Sequence, residues 1–230
     1  MSDAGNGSGR DRRLPQAQGA PEPPEVSTGK LLATLGSAGA VAGLLIVLVY
    51  QVTQPAIQAH KAQVLREAVQ EVLGGPQRYD TLYVWEGALT PSPPQAADPT
   101  KLQQIFVGYD QSGERIGVAV AGAQPGFQDV VELIFGYEPR TRTVLGMKVL
   151  ASRETPGLGD KIDKDQAFIS EFEGAEAPLV GVKSGRATGA ANEVDMITGA
   201  TISSRTVISI INGEIERLQP MLETYLAGAH

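Results

Sequence analysis

Residues 195–201 read Asp-Met-Ile-Thr-Gly-Ala-Thr and run into Ile202, Ser203 and Ser204. The hydroxyls of Thr198, Thr201, Ser203 and Ser204 thus cluster around a Gly199-Ala200 turn. Directly after them, Val207, Ile210, Ile211, Ile215 and Leu218 recur at helical spacing. Hydroxyls at the mouth of a helix suit a phosphate. The first-turn N–H groups lack intrahelical partners, the positive end of the macrodipole favours an anion, and Gly199 lets the backbone approach closely. On spacing alone, the same residues also read as an ordinary N-cap supplied by Thr198 or Thr201, with Ser203 and Ser204 as solvated first-turn residues.

A second stretch with chemical potential is residues 154–162, Glu-Thr-Pro-Gly-Leu-Gly-Asp-Lys-Ile. Pro156 biases Thr155 toward extended backbone, and Gly157 and Gly159 permit positive φ, so this loop can wrap closely around a planar ligand. A plain surface turn is the competing reading. Gly157-Leu158-Gly159 is no dinucleotide fingerprint, because the third glycine and the surrounding βαβ unit are missing, and the chain has no P-loop.

The Asp-x-x-Thr-Gly-Ala-Thr pattern resembles the flavinylation motif of the FMN-binding domain family, and residues 154–162 resemble that family's other signature loop. The order of one apolar span, this loop and then the Thr-Gly-Ala-Thr turn is similar, more narrowly, to the G subunit of Rnf electron-transport complexes. The C subunit of the sodium-translocating NADH:quinone reductases follows a related plan. The resemblance covers about residues 31–218. It implies FMN covalently attached through a threonine phosphoester, with Thr201 as the acceptor.

The resemblance further implies a magnesium-dependent flavin transferase that moves FMN from FAD onto this threonine. In that account Asp195, Gly199, Ala200 and Thr201 form the context the transferase reads. Thr198, Ser203 and Ser204 are further candidate phosphate contacts. Leu158 is a candidate for packing on the isoalloxazine, Glu154 and Thr155 for bonding its polar edge, and Lys161 for balancing negative charge, with Gly157 and Gly159 shaping the loop. No residue stands out as an independent catalytic acid or base. The chain therefore reads as a redox component of an oxidoreductase or translocase, partnered by other membrane subunits, rather than as an enzyme by itself. Alternatives are an FMN-binding component of another membrane quinone reductase or extracytoplasmic reductase, or an anchored non-redox module that holds a phosphorylated ligand.

Composition narrows the chemistry. The chain has 230 residues and no cysteine, which excludes disulfides, iron–sulfur clusters, thiolate zinc sites and c-type haem attachment. Only His60 and His230 offer imidazole, so no protein-ligated metal is expected and redox function must come from an organic cofactor. A net charge of −7 argues against a nucleic-acid partner.

The elements that must position these motifs follow from pattern. Residues 1–29 are Gly-, Pro- and Ser-rich with almost no large apolar side chains, and read as a disordered tail. Residues 31–53 carry no charge. At 1.5 Å per residue such a helix reaches about 34 Å, enough to cross a bilayer. A retained anchor over 30–53 is favoured over a cleaved signal peptide, whose apolar region is only about 7–15 residues long. Arg10, Arg12, Arg13 and Lys30 precede the span and the next basic side chain is Lys61. The positive-inside rule then puts the tail in the cytoplasm and residues 54–230 outside the bacterial inner membrane, in the periplasm or its equivalent.

After Pro55, the residues Ile57, Val64, Leu65, Ala68, Val69, Val72 and Leu73 trace one helical face, which also carries His60, expected to be packed or interfacial. Strands are expected at 81–85, 103–109, 114–122, 130–137, 143–151 and 179–183, with helices at 163–172 and from about 202. Short turns between consecutive strands imply an antiparallel meander. The predicted class is α+β: an antiparallel sheet with packed helices, preceded by one transmembrane helix.

Overall fold

The computed structural model describes residues 27–95 and 97–228; residues 1–26 of the tail expected from the sequence and His230 lie outside them, and Thr28 and Gly29, expected at the end of that tail, are helical. The chain divides into two units, Met1–Pro55 and Ala56–His230. Helix α1 (Thr28–Val72) contains Pro55. Its N-terminal part is long and apolar enough to cross a membrane, and its large side chains, such as Leu35, Ile46 and Val52, are exposed.

In the second unit, strands β1 (Arg78–Trp85), β2 (Ala88–Thr90), β3 (Gln104–Tyr109), β4 (Arg115–Pro125), β5 (Val130–Glu138) and β6 (Thr143–Ala151) form one antiparallel sheet in the order β2-β1-β3-β4-β5-β6. Two short helices follow, α2 (Lys161–Lys164) and α3 (Gln166–Ser170), then β7 (Val180–Lys183), β8 (Glu193–Met196) and the long α4 (Thr201–Gly228).

Both faces of the sheet are covered, so its central strands are apolar on both sides of the pleat. Ile105, Val107, Val118, Val120, Leu133 and Phe135 belong to the core under α4, with Val207, Ile210, Ile211, Ile215 and Leu218. The alternate residues Phe106, Ala119 and Ile134 pack with Ala68, Val69, Val72 and Leu73 from the end of α1 and the residue after it. This is the α+β arrangement expected from the sequence.

Four local outcomes differ from expectation. The 163–172 helix is broken at Asp165, whose extended backbone (φ −83°) lets its carboxylate accept from the N–H of Ala167 and cap α3. The small strand β2 extends the sheet. Strand β8 pairs in parallel with β7, making a separate two-stranded sheet. His60 is not packed in the core, the first of its two expected places, but exposed at the rim of a groove with Leu65, Glu132 and Leu150.

Candidate functional site

The β4–β5 pairing runs from Val118↔Tyr137 to Pro125↔Val130, which leaves residues 126–129 as a tight turn. The Gly126 N–H donates to the Asp129 carbonyl at 2.8 Å, and Phe127 at the tip is 66 % exposed. Beside this turn lies the loop after β6, where Gly157 has φ +77°. Gly159 is required for a different reason from the positive φ expected. A Cβ there would lie 2.6 Å from Glu154 Oε2 and 2.9 Å from Ser203 Oγ.

The third component is the start of α4. Gly199 has φ +83°, the conformation a residue with a Cβ rarely adopts. The Ala200 carbonyl accepts the first helical bond, from Ser204 N–H at 2.8 Å. The amides of Thr201, Ile202 and Ser203 therefore precede the hydrogen-bonded ladder. Thr201 is exposed, and neither its hydroxyl nor that of Thr198 forms a hydrogen bond among the described residues. Neither threonine acts as a side-chain cap.

These three segments enclose a cavity of about 270 Å³. Of the sequence-predicted residues, Thr155, Leu158, Gly159, Gly199, Ala200, Thr201 and Ser203 line it. Phe127 and Ile202 join them, and pattern reading gave no sign of either. Phe127, Leu158 and Ile202 supply apolar walls at the site's mouth, while the free hydroxyl and amides of the α4 terminus supply donors. The set suits a flat apolar ring with an anionic substituent, as FMN has.

Several predicted side chains are held by bonds beneath or beside the cavity. Ser204 is fully buried and its Oγ accepts from the Ile197 N–H at 3.2 Å, fixing the 197–200 turn from inside. Ser203 is 1 % exposed and its hydroxyl donates to Glu154 Oε2 at 2.7 Å. Neither serine is solvated, because the helical phase that exposes Thr201, Ile202 and Arg205 turns 203 and 204 inward. Glu154 is 5 % exposed and does not line the cavity; its other oxygen accepts from the amides of Gln128 (3.1 Å) and Asp129 (3.4 Å). The Thr155 hydroxyl donates to Gln128 Oε1 at 2.9 Å.

Lys161, Thr198 and Asp195 line a second cavity, with Asp165 and Glu171. There Asp195 Oδ2 accepts from the Gly185 N–H at 2.8 Å and the Asp195 N–H donates to Glu171. Asp195 is thus directed away from the apolar cavity. Among the described residues no cluster of acidic, histidine or cysteine side chains could hold a metal.

Burial pushes the Glu154 carboxyl up, but the bonds from Ser203 and from the backbone of Gln128, Asp129 and Phe127 outweigh it, and the group titrates below its ordinary value of 4.5. A folded-state value below the unfolded one stabilises the fold above pH about 4.5 and is lost as pH falls through the folded-state value. Asp110, Asp160 and Glu193 are lowered too, by their own hydrogen bonds, and add the same sign. Urea midpoints measured from pH 7 to 3 are expected to hold steady to about pH 5 and then drop. Glu154→Gln should show a shallower drop; an identical profile would mean that the fold leaves the titration of Glu154 unshifted.

The profile of the FMN-binding domain family matches residues 126–216, the stretch that contains the Phe127 turn, the 154–159 loop and the first half of α4. The G subunit of the ion-translocating oxidoreductase complex of Methanosarcina acetivorans is 31% identical over 187 residues, which cover 81% of this chain and 92% of the relative. This chain belongs to the G-subunit family of ion-translocating oxidoreductase complexes. A further family member, the G subunit of the Na(+)-translocating ferredoxin:NAD(+) oxidoreductase complex of Acetobacterium woodii, is 30% identical over 183 residues, 78% of this chain and 86% of that one. The crystal structure of Shewanella oneidensis NqrC shares the fold with a TM-score of 0.62 and 19% identity, over 72% of this chain and 99% of NqrC. With its FMN-binding domain, the molecule is an FMN-binding member of a family whose relatives are subunits of larger oxidoreductase complexes.

Proposed function

We propose that this chain is a membrane-anchored electron carrier with FMN esterified to Thr201, working within an Rnf-type complex that exchanges electrons between ferredoxin and NAD and moves ions. The observation that carries this reading is the exposed, unbonded Thr201 hydroxyl at the N-terminus of α4, opening on a cleft walled by Phe127, Leu158 and Ile202. Attachment needs an activated acceptor, since a threonine hydroxyl alone is a poor nucleophile at neutral pH. No histidine is near in sequence to activate it. A separate flavin transferase fills that gap, with FAD as donor. Thr201 Oγ bonds to the phosphorus of the FMN moiety, the phosphoanhydride bond to AMP breaks, AMP leaves, and the hydroxyl proton passes to a base of the transferase. Asp195, on the far side of the 197–200 turn and bonded to the Gly185 N–H, helps to set the shape of the segment that enzyme reads.

Bound FMN supplies reversible uptake of electrons, and the chain supplies its position and electrostatic setting. The amides of Thr201, Ile202 and Ser203 hold the ester phosphate through the helix terminus. Leu158, half-exposed at 50 %, and Phe127 cover apolar surface and keep water from it. The apolar helix before Pro55 anchors the chain, with the domain on the extracytoplasmic side, as the distribution of basic residues supports.

Coexpression with a flavin transferase, followed by denaturing gel electrophoresis, tests this reading: a band fluorescent under ultraviolet light is expected, and a dark band beside a labelled control protein contradicts it. Leu158→Ala should leave flavin loading unchanged and shift the visible absorption of the folded protein. Its stability should change by less than about 1 kcal/mol, as for a surface substitution. An unchanged spectrum removes Leu158 from the site.

A further inference from the structure

Glu154 is a carboxylate buried to 5 % exposure, and among the described residues it has no ion pair. Such a charge is expensive to bury unless hydrogen bonds saturate it. Its donors come from two other segments of the cleft: the Ser203 hydroxyl from the first turn of α4, and the amides of Gln128 and Asp129 from the turn that carries Phe127. Glu154 itself opens the loop that carries Thr155, Leu158 and Gly159. One side chain therefore ties together the three segments that line the cleft.

The surroundings are shaped to that carboxylate. A Cβ on Gly126 would come 2.3 Å from Glu154 Oε1, and one on Gly159 would come 2.6 Å from Oε2. Both glycines leave room for the same group, one at each carboxylate oxygen. Two residues before Ser203 in the same helical turn stands Thr201. A fixed negative charge here disfavours added electron density on a ring held in the adjacent cleft, as Coulomb's law requires at low effective dielectric.

We propose that Glu154 is the positioning residue of this cleft: its carboxylate clamps the Phe127 turn and the start of α4 to the 154–159 loop, and its charge lowers the reduction potential of the flavin carried at Thr201. The charge half rests on the functional reading above, whereas the clamp does not. Glu154→Gln keeps the shape, because its amide oxygen still accepts from Gln128 and Asp129 and its NH2 faces Ser203 Oγ, but it removes the charge. Glu154→Ala removes both, and Ser203→Ala releases α4 alone.

The test uses the full chain of each variant, flavin-free for hydrogen exchange and flavin-loaded for a spectroelectrochemical titration. In Glu154→Ala the amides of Gln128 and Asp129 are expected to exchange roughly ten- to a hundred-fold faster, as loss of a bond to a charged group implies, with flavin loading reduced. Glu154→Gln should restore slow exchange and loading while shifting the midpoint potential positive. Should Glu154→Ala fail to fold, Ser203→Ala is expected to speed exchange of the Ser204 amide, the first one bonded in α4. Unchanged exchange in the alanine variants overturns the clamp, and a native potential in Glu154→Gln overturns the role of the charge. A native chain that accepts no flavin overturns the functional reading and the charge half with it, while the exchange rates still decide the clamp.

Discussion

Thr201→Ala is expected to produce a folded protein that carries no covalent flavin at all. The loss should be complete because the ester oxygen is removed, and no neighbouring hydroxyl can replace it. Ser203 Oγ is buried and committed to Glu154, Ser204 Oγ is buried against the Ile197 amide, and Thr198 lines the other cavity. Stability should hardly move, by about 0.5 kcal/mol, since Thr201 is exposed and its hydroxyl bonds nothing among the described residues. Thr201→Ser keeps the nucleophilic oxygen and should retain labelling. In-gel fluorescence reads the flavin and a thermal melt reads the fold. Loss of both together in Thr201→Ala would make the residue structural.

The largest effect on stability is expected from Gly136→Ala. Gly136 lies near the C-terminal end of β5, where the end of α1 packs on the sheet, and a Cβ there would stand 2.0 Å from the Val72 carbonyl oxygen. That oxygen is helix backbone and cannot swing aside as a side-chain tip would. Relief requires α1 to move off a layer in which Ala68 and Val69 are fully buried. Overpacking of this kind costs about 3 kcal/mol or more, which in a domain of this size lowers Tm by roughly 6–12 °C. Gly146→Ala is the internal control: its Cβ would meet the Val72 backbone at 3.9 Å, an ordinary contact, and should be tolerated. Calorimetry that ranked the two variants equally would refute the argument.

Much of this architecture was legible because it rests on local patterns. The five long strands of the main sheet announce themselves through β-rich apolar runs separated by turn residues, and α4 through its 3.6-residue period. What was hidden depends on partners distant in sequence or on short segments. Strand β8 has only four residues and gains its identity from parallel pairing with β7. Asp165 interrupts a helical pattern by a capping bond that competes with the helix interior.

The same division holds in the site. Gly199 and Thr201 could be picked out from their immediate neighbours, since a positive-φ turn before a helix is a local feature. Phe127 enters the site only through the β4–β5 pairing that sets the turn at 126–129. The Glu154–Ser203 bond joins residues 49 positions apart, and no pattern in either segment foretold it. Ser203 and Ser204 were placed beside the helix mouth by their position in the chain, but the helical phase decides that they face inward.

The central claim is the bond at Thr201, and peptide mass spectrometry addresses it most directly. The full chain, coexpressed with a flavin transferase, is denatured and digested with trypsin, and the peptide spanning 187–205 is isolated and fragmented. An added mass of one FMN less one water, localised to Thr201 by the fragment ions, is expected. An unmodified peptide, with the transferase active on a control protein, or an adduct on Thr198 instead, would contradict it.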